Sequence, residues 1–109
     1  MKITILASGS KGNCTLVETN NSKFLIDIGI SYKMLKYRLE RCKLKTSEID
    51  AIFITHEHID HIKGLEVFIK KHDMDVVLSA GTYEGIVRER QIGTFFKRFN
   101  IVKNGDEIY

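Results

Sequence analysis

Proline is absent from the 109 residues, and no proline-rich linker, low-complexity tract or internal repeat interrupts the chain, so nothing marks a domain boundary. The length suffices for one domain and one core and leaves no room for two. Long apolar runs are missing as well. None approaches the roughly 20 residues that a membrane span needs, and Ile3 to Ala7 is too short for the core of a signal peptide. The expected compartment is therefore the cytoplasm, without membrane contact. Cysteine is scarce: Cys14 and Cys42 form no CxxC pair, which excludes a disulfide framework and leaves two reduced thiols as small core residues. A P-loop is excluded too, because Ser8-Gly9-Ser10-Lys11-Gly12-Asn13 has neither the glycine spacing nor the closing Gly-Lys-Ser/Thr.

The remainder is ordinary for a soluble globular protein, with 43% hydrophobic and 28% charged residues. A net charge of +3 leans weakly toward polyanionic partners. Lys2 to Ala7, Cys14 to Thr19 and Lys23 to Ile28 read as three strands, with a turn signal at Asn20-Asn21-Ser22, giving an antiparallel meander. Ser31 is placed to cap a helix running to about Leu44, with Leu35, Leu39 and Cys42 on one face. Its basic residues Lys36, Arg38, Arg41 and Lys43 read as a solvated outer face, with nucleic-acid contact the alternative. Strand, helix, strand and helix then follow at about 51–54, 65–72, 75–79 and 80–91. A last strand piece lies at Phe99 to Val102, before a turn at Asn104-Gly105-Asp106 and the start of one more strand. The fold class is α+β, a meander followed by strand-helix-strand-helix.

The chemistry concentrates in Thr55-His56-Glu57-His58-Ile59-Asp60-His61. Neutral imidazole nitrogens and carboxylate oxygens suit zinc and related first-row cations. Ala51 to Ile54 reads as a buried strand, so this segment leaves a strand's carboxyl end. In an extended chain, residues two apart project to one side, so His56 and His58 are expected to grip one ion. Asp60 and His61 are expected to serve a second about 3.5–4 Å away, while Glu57 and Ile59 face elsewhere. The competing interpretations are a polar loop with incidental histidines and a closed structural zinc site, and the latter usually leans on cysteine. His72 reads as a helix-end imidazole meeting the helix dipole or solvent, and not as a ligand. Gly64 reads as slack after the cluster.

His-x-His-x-Asp-His after an apolar strand, with Asp27 ending the earlier strand Leu25-Ile26-Asp27-Ile28-Gly29, resembles the metallo-β-lactamase-fold hydrolases. Leu6 to Asn13 followed by Val17-Glu18-Thr19 is similar to the YycJ-type group, cytoplasmic bacterial members regarded as phosphodiesterases or nucleases. The resemblance implies an αββα sandwich, of which residues 1–109 form the amino-terminal half of one domain. It implies metal ligands His56, His58, Asp60 and His61 for two divalent ions, zinc or alternatively manganese. Asp60 would also orient the attacking water as the catalytic residue. Asp27 would accept a hydrogen bond from the ligand loop, a reading whose local alternative is a helix-capping aspartate. Ser10 and Asn13, in a first loop beside the metals, would contact substrate, most readily nucleic acid.

The same cluster serves thioester and lactone hydrolases, and an inert half-domain is a third alternative. The resemblance also places a further ligand histidine, a bridging aspartate and a last histidine beyond Tyr109, in the missing carboxy-terminal half. On that expectation the chain alone binds metal poorly, turns over very little, and exposes strand edges and apolar sheet surface.

Overall fold

β-Branched Ile3, Thr4 and Ile5 favour extended backbone, and the computed structural model, which describes residues 1–90 and 99–103, begins with β1 at Lys2–Ala7. β2 (Cys14–Glu18) and β3 (Lys23–Ile26) follow it antiparallel, with Ile3 opposite Val17 and Val17 opposite Phe24. From β3 the pairing turns parallel through β4 (Ala51–Phe53), β5 (Asp75–Ser79) and β6 (Phe99–Val102). The six strands lie in sequence order in one mixed sheet. The expected α+β succession is present. The expected turn at Asn104-Gly105-Asp106 and the strand after it lie outside the described residues.

Helices carry the crossovers between the parallel strands, as parallel pairing demands. α1 (Tyr32–Arg41) and a 3₁₀ turn (Thr46–Glu48) join β3 to β4. α2 (Ile59–Ile62) and α3 (Leu65–Lys71) join β4 to β5, and α4 (Ala80–Arg90) leaves β5. Ser31 does cap α1, its hydroxyl accepting from the Met34 N–H at 3.2 Å. α1 stops at Arg41 and not near Leu44 because Lys43 enters the left-handed region at φ 62°. Its N–H then bonds to the Glu40 carbonyl, and that of Leu44 to the Leu39 carbonyl, both at 2.9 Å, in a Schellman closure. No glycine announces this ending, so the sequence pattern ran on too far.

One sheet face is apolar at Leu6, Cys14, Leu16, Leu25, Ile52, Val76 and Leu78, and it packs against Leu35, Leu39, Ile62, Leu65, Phe68 and Ile86 from the four helices. Each such large side chain contributes about 1.5–3 kcal/mol on leaving water. Cys14 belongs to this core, and burial, with a smaller effect from the Asp27 charge, pushes its thiol up to about 12. Cys42 caps α1 and is partly buried against the core. The opposite face carries Ile3 and Ile5, 61% and 67% exposed, with Phe24 and Phe53 in ring contact at 5.1 Å. Among the described residues no helix is long and apolar enough to cross a membrane.

His72 is held differently from expectation. Its Nε2 lies 2.8 Å from the Tyr32 hydroxyl, which also meets the Thr46 hydroxyl at 3.1 Å, and its ring lies against Phe68. His72 does end α3 and stays partly exposed, but it also has a side-chain partner from α1 that no local pattern announces.

Candidate metal centre

The parallel register sets Ile26 beside Phe53 and Phe53 beside Val77, so β3 and β4 end level with one another and β5 runs two residues further, to Ser79. Loops leaving the carboxyl ends of neighbouring parallel strands are where α/β folds gather ligand groups. The first of these loops starts at Asp27. β3 was expected to continue to Ile28, but Asp27 takes φ 64° and ends it. The left-handed turn leaves its N–H bonded to the Phe53 carbonyl at 2.7 Å and delivers its carboxylate to the next loop. An aspartate tolerates this conformation better than most side chains.

Asp27 is 5% exposed, and three donors satisfy it. The Thr55 N–H reaches Oδ1 at 2.7 Å, and the Thr55 hydroxyl and His61 Nδ1 reach Oδ2 at 2.6 and 2.7 Å. The Thr55 oxygen also lies 2.9 Å from His56 Nδ1. Since the threonine hydrogen goes to Asp27, His56 must donate from Nδ1 to the threonine oxygen. A carboxylate only accepts, so His61 donates from Nδ1 as well. In the neutral tautomer that this donation selects, each imidazole keeps an unprotonated Nε2, the atom a divalent cation needs.

Three loops meet here backbone to backbone. The Asn13 N–H bonds to the Asp60 carbonyl at 2.7 Å, the Gly29 N–H to the Asn13 carbonyl at 2.8 Å, and the Ile28 N–H to the His61 carbonyl at 2.9 Å. A Cβ on Gly29 would land on the Asp60 carbonyl and stand 2.6 Å from the Asn13 nitrogen. Gly64 does not supply slack. Its N–H bonds to the Ile28 carbonyl at 2.9 Å, and a Cβ there would run into the Ile30 carbonyl. The sequence hinted at Gly29 only through its position after Asp27, and at Thr55 only through its place before His56.

His56 and His58 lie side by side with ring centroids 6.1 Å apart, and His56 stands closer to His61, at 4.6 Å. The Asp60 carboxylate is 3.6 Å from His61 Nε2. His58 is exposed at the head of α2 and its side chain makes no capping bond. Among the described residues no three or more of these donors converge on one point. The donors nevertheless fit a zinc-type cation in kind, two imidazoles with a presented Nε2 beside a third imidazole and a carboxylate.

Asn13 spends its amide internally. Its Nδ2 reaches the Gly9 carbonyl at 2.9 Å, the Asp60 carbonyl at 3.2 Å and the Asp60 carboxylate at 3.3 Å, and its Oδ1 accepts from the Gly9 N–H at 3.2 Å. Ser10 is exposed on the same loop. Glu57 turns toward α4, where its Cγ lies 2.7 Å from the position a Cβ on Gly85 would take.

Residues 7–106 match the model of the metallo-beta-lactamase superfamily. The exodeoxyribonuclease WalJ of Streptococcus pneumoniae is 40% identical over 92 residues, which are 84% of this chain and 34% of that protein. The exodeoxyribonuclease YycJ of Bacillus anthracis is 37% identical over 86 residues, 79% of this chain and 33% of that one. The chain therefore spans about a third of the length of these curated relatives. In fold, a B3 metallo-beta-lactamase with an active-site glutamic acid superposes with a TM-score of 0.78 at 19% identity, covering 98% of this chain and 45% of the other. The six-stranded mixed sheet with its helices is thus the amino-terminal half of the sandwich architecture that the sequence resembled. The strand-end cluster, the fold and the match across nearly the whole length agree: the chain belongs to the metallo-beta-lactamase superfamily and groups with its YycJ-type members.

Proposed function

We propose that the protein is a metal-dependent hydrolase of phosphodiesters, acting on DNA as an exonuclease, and that further ligands lie outside these 109 residues. The observation that supports it most is the network from Asp27 through Thr55 to His56 and His61, which commits both Nδ1 atoms and leaves both Nε2 atoms available. His56, His58, Asp60 and His61 would hold two divalent ions, zinc or manganese. Bound, such ions supply a water activated to a pKa of about 7 and neutralise charge on the phosphate. Asp27 positions His61, and through Thr55 it positions His56. Asp60, braced by Asn13, presents a carboxylate oxygen to orient the attacking water. The names of the relatives support DNA as substrate, and the net charge of +3 agrees with a polyanion. The cytoplasm is the proposed compartment.

The test uses the protein extended to the length of its relatives. Release of nucleotides from DNA should stop on chelation and return with zinc or manganese. Hydrolysis of a thioester in place of DNA, or indifference to chelators, would overturn the proposal. On the 109 residues alone, weak zinc binding is expected, and two firmly bound ions would contradict the need for further ligands.

A further inference from the structure

The loop that braces Asp60 also borders a cleft that the metal centre does not use. It lies between the outer edge of the sheet at β1, residues 8–12 and α1, and holds about 600 Å³, within the range of small-ligand sites. Leu6, Ala7, Ile30 and Met34 supply its apolar lining, and Ser8, Lys11 and Arg38 its polar residues, with no carboxylate among them. Met34 is 41% exposed. Arg38 Nη1 donates to the Leu6 carbonyl at 3.2 Å, which fixes the guanidinium over the strand edge while, among the described residues, its other N–H groups stay uncommitted. Neither Lys11 nor Arg38 has a carboxylate partner among the described residues.

Two uncompensated cations beside open apolar surface select a ligand with both an anionic head and an apolar, flat body. An inorganic anion would leave Met34 in water, and an uncharged apolar molecule would leave the two cations unmet. The bond to the Leu6 carbonyl also occupies one of the edge acceptors that an added peptide strand would need. We propose that this cleft is a nucleotide-binding site, with the phosphate between Lys11 and Arg38 and the sugar and base against Ile30 and Met34. Whether the nucleotide is free or part of a DNA strand passing to Asp60 rests on the nuclease reading; the binding itself does not.

The test is a titration of the full chain in chelator, which removes metal and turnover, with thymidine 5′-monophosphate, a single-stranded oligothymidylate and inorganic phosphate. Backbone amide shifts are the readout. The nucleotide should perturb amides within residues 5–12 and 30–38 and bind at least about tenfold tighter than phosphate. Lys11→Gln, which breaks no internal contact, should weaken binding about tenfold and lower the slope of log affinity against log salt by about one. Arg38→Gln should do the same, and Lys11→Gln decides the matter if loss of the Leu6 contact unfolds that variant. Tighter binding of the oligonucleotide identifies a strand as the ligand's source, and equal binding identifies the free nucleotide. Shifts confined to other residues, phosphate binding as tightly as nucleotide, or an unaffected Lys11→Gln would each overturn the proposal. Because no hydrolysis is measured, a nuclease assay that fails leaves this result standing, and the reverse is equally true.

Discussion

His58 and His61 sit three residues apart with the same side chain, yet their surroundings differ. His61 is partly buried, its Nδ1 2.7 Å from a carboxylate that Thr55 also holds, whereas His58 stands exposed at the head of a four-residue helix with no capping bond. One imidazole is fixed by the fold before any cation arrives. The other has its backbone and the neighbouring His56 ring to place it. Ligand order is therefore a property of what stands behind each side chain, and the two arms should respond differently to substitution.

Gly29→Ala is the harshest way to break the anchored arm. Its methyl group would collide with the Asp60 carbonyl, and relieving that should cost about 3 kcal/mol in urea unfolding. An unchanged midpoint would mean that the loops are not locked as described. Asp27→Asn keeps the volume but removes the charge that receives three donors, for about 2 kcal/mol. Zinc affinity should also fall about tenfold or more, and a variant that binds zinc normally would remove Asp27 from its positioning role.

His58→Ala sharpens the contrast from the other side. Stability should move by no more than about 0.5 kcal/mol, because the side chain touches little, while the proposed hydrolysis, measured on the protein extended to the length of its relatives, should be lost. Near-normal rates would discard His58 as a ligand. The smallest effect is expected away from the centre, at His72, where burial and then the neighbouring Lys71 hold the imidazole below its ordinary value of 6.5. The unfolded chain thus takes up that proton more readily than the folded one, so the stabilisation is present above about pH 6.5 and declines on acidification below it. Melting temperatures of wild type and His72→Gln between pH 8 and 5 should converge at the acid end, and parallel curves would contradict this.

Alternation and turn residues made β1, β2, β4 and β5 legible, and a capping serine located the start of α1. The histidine cluster was legible because its residue types have few other uses at that spacing. Lys43 and Asp27 were not, since each takes the left-handed backbone without being glycine, and Asp27 does so among partners distant in sequence. Thr55 was passed over for a similar reason. Its role appears only when β3 and β4 stand level and a hydroxyl links a carboxylate to one ring. Asn13 was expected to contact substrate; its amide bonds to Gly9, four residues away in the same loop, and to Asp60, which only the fold brings near.

The mirrored backbone at Asp27 narrows what evolution or a protein engineer can place there. Asparagine and glycine adopt that conformation readily but bring no negative charge. Glutamate brings the charge with a methylene too many, and it resists the handedness. Chain direction and proton acceptance are thus specified together by one short acid, which makes residue 27 a poor place to seek a tolerated acidic replacement.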